Sequence, residues 1–144
     1  MWLVVLSLAI IGLDQLLKNT LSLHLQPGEF LAGPIFDVRL VHNTGVAFGL
    51  FQNNNIFFIL ISSVAVIALC LLLYKVRAKF FLLKLSIVMV MAGAVSNLID
   101  RLRFGFVVDY IDFHFWPVFN IADSAITIGT ITLLILMFSD SERI

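Results

Sequence analysis

Residues 56–74 read IFFILISSVAVIALCLLLY, an apolar run broken only by Ser62 and Ser63 and holding no charge. About 20 such residues cross the hydrocarbon of a bilayer. Backbone polar groups cannot go unpaired there, so the run must be a helix. Three more stretches read the same way: Met1 to about Leu17, about Phe80 to Ile99, and about Ala122 to Phe138. All four are continuous apolar sequence, without the period-2 alternation of a membrane barrel. The start, Met1 to Leu13, has no basic flank and runs into Asp14 instead of a small-residue cleavage site, so it reads as a retained first helix.

Composition agrees. Of 144 residues, 61% are hydrophobic and 12% charged, against roughly half and a quarter in a soluble domain. The length suits one membrane-embedded domain over residues 1–144. Net charge is zero, which gives nucleic acid nothing to bind. Cys70 is the single cysteine, so no disulfide forms within the chain, and it reads as a small buried apolar residue.

Between the second and third runs stand Lys75, Arg77 and Lys79, with Lys84 just beyond and no acid. The positive-inside tendency makes this link cytoplasmic, and with it both termini. The two longer loops then lie outside. In the first, Phe36, Val38 and Leu40 alternate with Asp37 and Arg39 between Gly-Pro punctuation, which predicts a strand and a small sheet on the membrane. The second, Leu102 to Phe119, is rich in aromatics that favour headgroup depth. The expected fold is an all-α polytopic membrane protein: four transmembrane helices, a small extracytoplasmic β-sheet and an interfacial aromatic loop.

Ionisable groups in spans are costly and mark function. With a rise of 1.5 Å per residue, Asp14 stands about 20 Å along the first helix, and Asn97, Asp100 and Arg101 stand about 20–25 Å along the third. Asp109 lies in the outer loop, and Asn120 and Asp123 open the fourth helix. Separate segments thus deliver these polar groups to one depth, as an active site would. Each also has a plain structural use. Asp14 and Lys18 can pair at i, i+4, and Asn120 with Asp123 fits a helix cap and its N3 acid. Asp109, inside Phe106-Val107-Val108-Asp109-Tyr110-Ile111, needs a partner or a proton. His24, His42 and His114 fall in no zinc-ligand pattern, and Ser62, Ser63 and Ser124 have no base at their depth.

Five ordered segments resemble those of lipoprotein signal peptidase, the bacterial type II signal peptidase family. Asp14-Gln15-Leu16-Leu17-Lys18 is similar to its D-x-x-x-K, and His42 to Gly49 (HNTGVAFG) to its N-x-G-x-A-F. Gly93 to Arg101 (GAVSNLIDR) resembles the block that ends the third helix. Val107 to Phe113 (VVDYIDF) resembles V-V-D-x-I-D-F, and Phe119 to Ser124 (FNIADS) resembles F-N-x-A-D-[ST]. Two departures stand out: Ser96 where the family usually has glycine, and Val46 where alanine is common.

The resemblance implies an aspartic endopeptidase with Asp109 and Asp123 as its catalytic dyad. Asp14, Lys18, Asn43, Asn97, Asp100, Arg101 and Asn120 would form the supporting shell and substrate contacts. The implied partners are membrane lipids and prolipoprotein substrates carrying a diacylglyceryl cysteine, cut just before that cysteine. No metal or organic cofactor is implied. The implied place is the bacterial cytoplasmic (inner) membrane, with the active site at its outer face. Two other classes compete. A proton-coupled transporter would carry acids at several depths, which the inner halves of the four spans lack. A non-enzymatic lipoprotein- or lipid-docking protein would tolerate amides at Asp109 and Asp123.

Overall fold

A computed structural model describes residues 2–45, 54–77 and 80–140. In chain order these form α1 (Trp2–His24), β1 (Phe30–Leu31), β2 (Asp37–Asn43), α2 (Asn55–Lys75), α3 (Phe81–Phe104), β3 (Val107–Asp112) and α4 (Ile121–Asp140). All four helices are long and apolar enough to cross a membrane. Their outward faces carry large exposed apolar side chains such as Leu8, Leu16, Val64 and Ile135, as a helix sunk in lipid requires. Cys70 is on such a face, exposed on α2, and so is not the buried residue the sequence suggested.

Helix α3 is the hub, touching each of the other three helices. It closes on α4 through glycines. A Cβ on Gly93 would run into the Ala122 carbonyl oxygen and come 2.7 Å from Ile126 Cγ1. One on Gly129 would stand 2.7 Å from Val90 Cγ2. Small residues of this kind let helix backbones approach where lipid offers no hydrophobic drive between them. Helix α3 ends at Gly105, whose φ of 83° is the left-handed cap that glycine adopts without strain.

The strand expected from Phe36 to Leu40 is there as β2, and it runs on to Asn43. Helix α1 also exceeds its apolar run by more than a turn, reaching His24 through polar residues. The second outer loop contributes more than an aromatic surface. Its Val107–Asp112 segment is a third strand, in an antiparallel sheet of order β1-β2-β3. Val41 faces Asp109 and Asn43 faces Val107 across β2 and β3. Alternation therefore puts Asn43 and Asp109 on one face of the sheet. On the other face Leu40 and Val108 bury against Leu25 of the chain just beyond α1.

After β3 the chain doubles back. The N–H groups of Tyr110 and Ile111 donate to the Phe119 carbonyl at 3.0 and 2.8 Å. This return brings Asn120, and with it the start of α4, beside Asp109.

Candidate active site

The polar residues expected at one depth do converge, in two layers. The deeper layer is built on Lys18, only 2% exposed. Its ammonium has three protons and three acceptors: Asp14 Oδ2 at 2.7 Å, Asp100 Oδ2 at 2.8 Å and Asn97 Oδ1 at 2.9 Å. Burying ions is tolerable only when they are paired and hydrogen-bonded, and this set meets that condition. Asp14 also accepts from Ser96 Oγ (2.7 Å), the Tyr110 hydroxyl (3.0 Å) and the Ala122 N–H (3.2 Å). Asp100 accepts from Gln15 Nε2 (2.7 Å) and the Val108 N–H (3.1 Å).

Gln15, Ser96 and Tyr110 were not candidates in the sequence. Gln15 and Ser96 are uncharged residues on helices, and Tyr110 looked like one more interfacial aromatic. The buried acids Asp14 and Asp100, which need donors, were the signal that such residues had to exist.

The upper layer faces a cavity of about 650 Å³. Asp109 and Asp123 both line it, from β3 and α4. Asp109 is 1% exposed. It accepts from Asn43 Nδ2 at 2.8 Å on one oxygen and from Asn120 Nδ2 at 2.7 Å on the other. Asp123, partly exposed, accepts from Asn97 Nδ2 at 2.7 Å and from the Asn120 N–H at 3.3 Å. The Asp123 N–H donates back to Asn120 Oδ1 at 2.8 Å. Asn120 and Asp123 thus form a reciprocal capping box, and Asp123 also lines the cavity while Asn120 stays buried behind it. The expected helix cap and its N3 acid are therefore present.

Among the described residues no cation forms an ion pair with Asp109 or Asp123, because Lys18 is spent on Asp14, Asp100 and Asn97. Burial, and next the neighbouring Asp123 charge, push the Asp109 carboxyl up from its ordinary 3.8 to about 7. The amide donors of Asn43 and Asn120 and the charge of Lys18 oppose this without overcoming it.

Arg101 sits at the cavity's edge. Its guanidinium lies 4.4 Å over the Phe58 ring and donates to the Gly45 carbonyl at 3.1 Å. Its buried Nη1 has no partner among the described residues. Phe113, Phe115, Trp116 and Phe119 supply much of the apolar wall. Val46 to Gly49 of the asparagine-glycine segment, and Lys79 of the basic link, lie outside the described residues. Among the described residues no three His, Cys, Asp or Glu side chains converge as an ion's ligand set.

The profile of the family described as Signal peptidase (SPase) II matches residues 6–139. The chain belongs to that family. The lipoprotein signal peptidase of Moorella thermoacetica is 42% identical over 130 residues, covering 89% of this chain and 87% of its own. That of Halothermothrix orenii is 39% identical over 142 residues, covering 97% of both chains. A solved bacterial membrane enzyme superposes with a TM-score of 0.92 at 30% identity, covering 99% of this chain and 91% of its own. Signal peptidase II members are proteases of lipoprotein processing, and the four spanning helices, the sheet and the cavity described above belong to this member of the family.

Proposed function

We propose that this protein is an aspartic endopeptidase that removes signal peptides from diacylglyceryl-modified prolipoproteins, cutting just before the lipidated cysteine. One observation carries the reading: two carboxylates from separate elements face one cavity, are held by amides, and have no cation paired to either among the described residues. Carboxylates in such a site cannot both ionise easily, so they hold one proton between them.

Asp109, the more buried, keeps that proton. Asp123 remains ionised, its oxygens held by Asn97 and by the N–H of Asn120 where α4 begins. Asp123 takes a proton from water as the water oxygen attacks the scissile carbonyl carbon. Asp109 hydrogen-bonds the carbonyl oxygen and stabilises the charge that develops there. Collapse of the tetrahedral intermediate breaks the C–N bond, and the new amino group of the cysteine leaves with a proton from the dyad. Asn43, Asn97 and Asn120 hold the carboxylates in place. Lys18 with Asp14 and Asp100 forms the floor, and Arg101, at the cavity's edge, is a donor for a substrate carbonyl.

The substrate follows from the family and suits the site physically. A cavity walled by aromatic side chains at the end of the spans accepts a peptide whose acyl chains stay in the bilayer. The basic residues Lys75 and Arg77 support a cytoplasmic α2–α3 link, and with it both termini inside and the dyad at the outer face of a bacterial inner membrane. Residues 1–144 act as one catalytic unit.

The test is cleavage by the purified protein in detergent. A prolipoprotein bearing the diacylglyceryl group should be cut, and the same protein without the lipid should not. Equal cutting of both would refute the substrate assignment, and binding without any cleavage would point to a docking role.

A further inference from the structure

The first N–H groups of any helix lack intrahelical partners. In α4 each of the first three finds one, and only the third is served by the helix's own cap. Asp123 donates to Asn120 Oδ1 at 2.8 Å. Ala122 donates to Asp14 Oδ1, on α1, at 3.2 Å. Ile121 donates to the hydroxyl of Tyr110, on β3, also at 3.2 Å. The Tyr110 hydroxyl in turn donates to Asp14 Oδ1 at 3.0 Å, which closes a triangle of phenol, carboxylate and helix start.

We propose that Tyr110 is a positioning residue for cleavage: its hydroxyl, together with the Asp14 carboxylate, docks the first turn of α4 and so fixes where Asp123 stands. The inference rests on Asp123 being half of the dyad.

Three features support it. Tyr110 is 4% exposed and is absent from the cavity wall, so it cannot act by touching substrate. It follows Asp109 directly on β3, and alternation turns the two side chains to opposite faces of the sheet. One strand therefore presents one carboxylate to the cavity and, from behind, anchors the helix that carries the other. Finally, burial and the Asp14 charge raise the phenol far above its ordinary range, so its proton stays in place to bridge to Asp14. Misplacing a reacting group by about 1 Å can cost about 100-fold in rate.

The test is the single-turnover rate of cleavage with enzyme in saturating excess, which reads the chemical step in each folded molecule and is insensitive to how much protein has folded. Tyr110→Phe should slow it by about tenfold or more while the half-saturating enzyme concentration stays within about twofold. Ser96→Ala is the comparison. It removes another donor from the same Asp14 carboxylate but no contact to α4, so it should lower the melting temperature and slow the step much less. 3-Fluorotyrosine at position 110 keeps ring and hydroxyl, preserves the fold, and should slow the step by a smaller factor as the weaker acceptor. A Tyr110→Phe rate within twofold of wild type, or equal slowing by Tyr110→Phe and Ser96→Ala, would overturn the inference. Asp123→Asn is run alongside. If it cleaves at the wild-type rate, the dyad itself falls, whereas an inactive Asp123→Asn with an unslowed Tyr110→Phe removes only the role of Tyr110.

Discussion

Lys18 Nζ lies 2.9 Å from Asn97 Oδ1, and through that contact the buried ion cluster meets the cavity. The same Asn97 donates from its nitrogen to Asp123 at 2.7 Å. Because the lysine fixes the oxygen end of the amide, the nitrogen end is obliged to face the carboxylate. The charge layer thus orients the layer above it without neutralising it.

Replacing Lys18 by Met should be severely destabilising. Two fully buried carboxylates, Asp14 and Asp100, would lose their common cation. Breaking a buried pair by removing one partner costs about 3–5 kcal/mol. Thermal unfolding in detergent would show a large fall in melting temperature. Lys18→Arg should not restore it, since a planar guanidinium cannot match three acceptors gathered around one ammonium.

The pH dependence follows from Asp109. An unfolded chain releases this proton near 3.8, while the folded one keeps it to about 7. Between those values the folded state binds more protons, so this group's contribution to stability is full below 3.8 and is lost as pH rises through about 7. Asp109→Asn should remove that loss, giving a protein that is inactive and whose melting temperature no longer falls as pH rises through about 7. The cleavage rate, which needs the Asp109 proton, should decline above about pH 7. A wild-type melting temperature no more pH-dependent than that of Asp109→Asn would contradict the assignment.

Asn120→Ala should combine two losses. As the cap of α4 its removal costs about 0.5–2 kcal/mol. As the amide bound to Asp109 Oδ1 at 2.7 Å it also frees one half of the dyad. Activity measured per folded molecule should therefore fall well beyond what the melting temperature explains. Asn120→Asp, which keeps the cap, should separate the two effects by preserving the helix and not the activity.

Helix packing gives an independent check. At Gly93 an added methyl meets Ile126 and the carbonyl of Ala122, the residue just before Asp123. Gly93→Ala should cost about 1–3 kcal/mol and displace the start of α4, with loss of cleavage. Gly12 in α1 has nothing within 4 Å of an added Cβ, so Gly12→Ala should be neutral in both assays.

Much of this was legible in the residues. Long uncharged runs such as 56–74 leave lipid as the only partner for their surface, so the four helices could be read from hydropathy alone. The convergence of Asp14, Asp100 and Asp123 could be read from helical rise, because α1, α3 and α4 fix their depth. Less legible was β3. Val107 to Asp112 is apolar on both sides of Asp109, which hides strand alternation, and its pairing with β2 depends on a partner more than sixty residues away. The donors Gln15, Ser96 and Tyr110 were hidden for a different reason. A single neutral side chain on an apolar helix or strand carries no periodic signal, and its role exists only once a buried carboxylate is placed against it. The end of α1 was missed because hydropathy falls at the membrane surface while helical hydrogen bonding continues to His24.

The most direct measurement is cleavage of a diacylglyceryl-modified prolipoprotein by wild type, Asp109→Asn and Asp123→Asn, each shown to be folded, with a chelator added to a parallel wild-type sample. The account predicts that wild type cuts with or without the chelator and that neither variant cuts. Full processing by either folded variant would remove that aspartate from the dyad, and loss of wild-type cleavage on chelation would contradict a mechanism resting on two carboxylates alone.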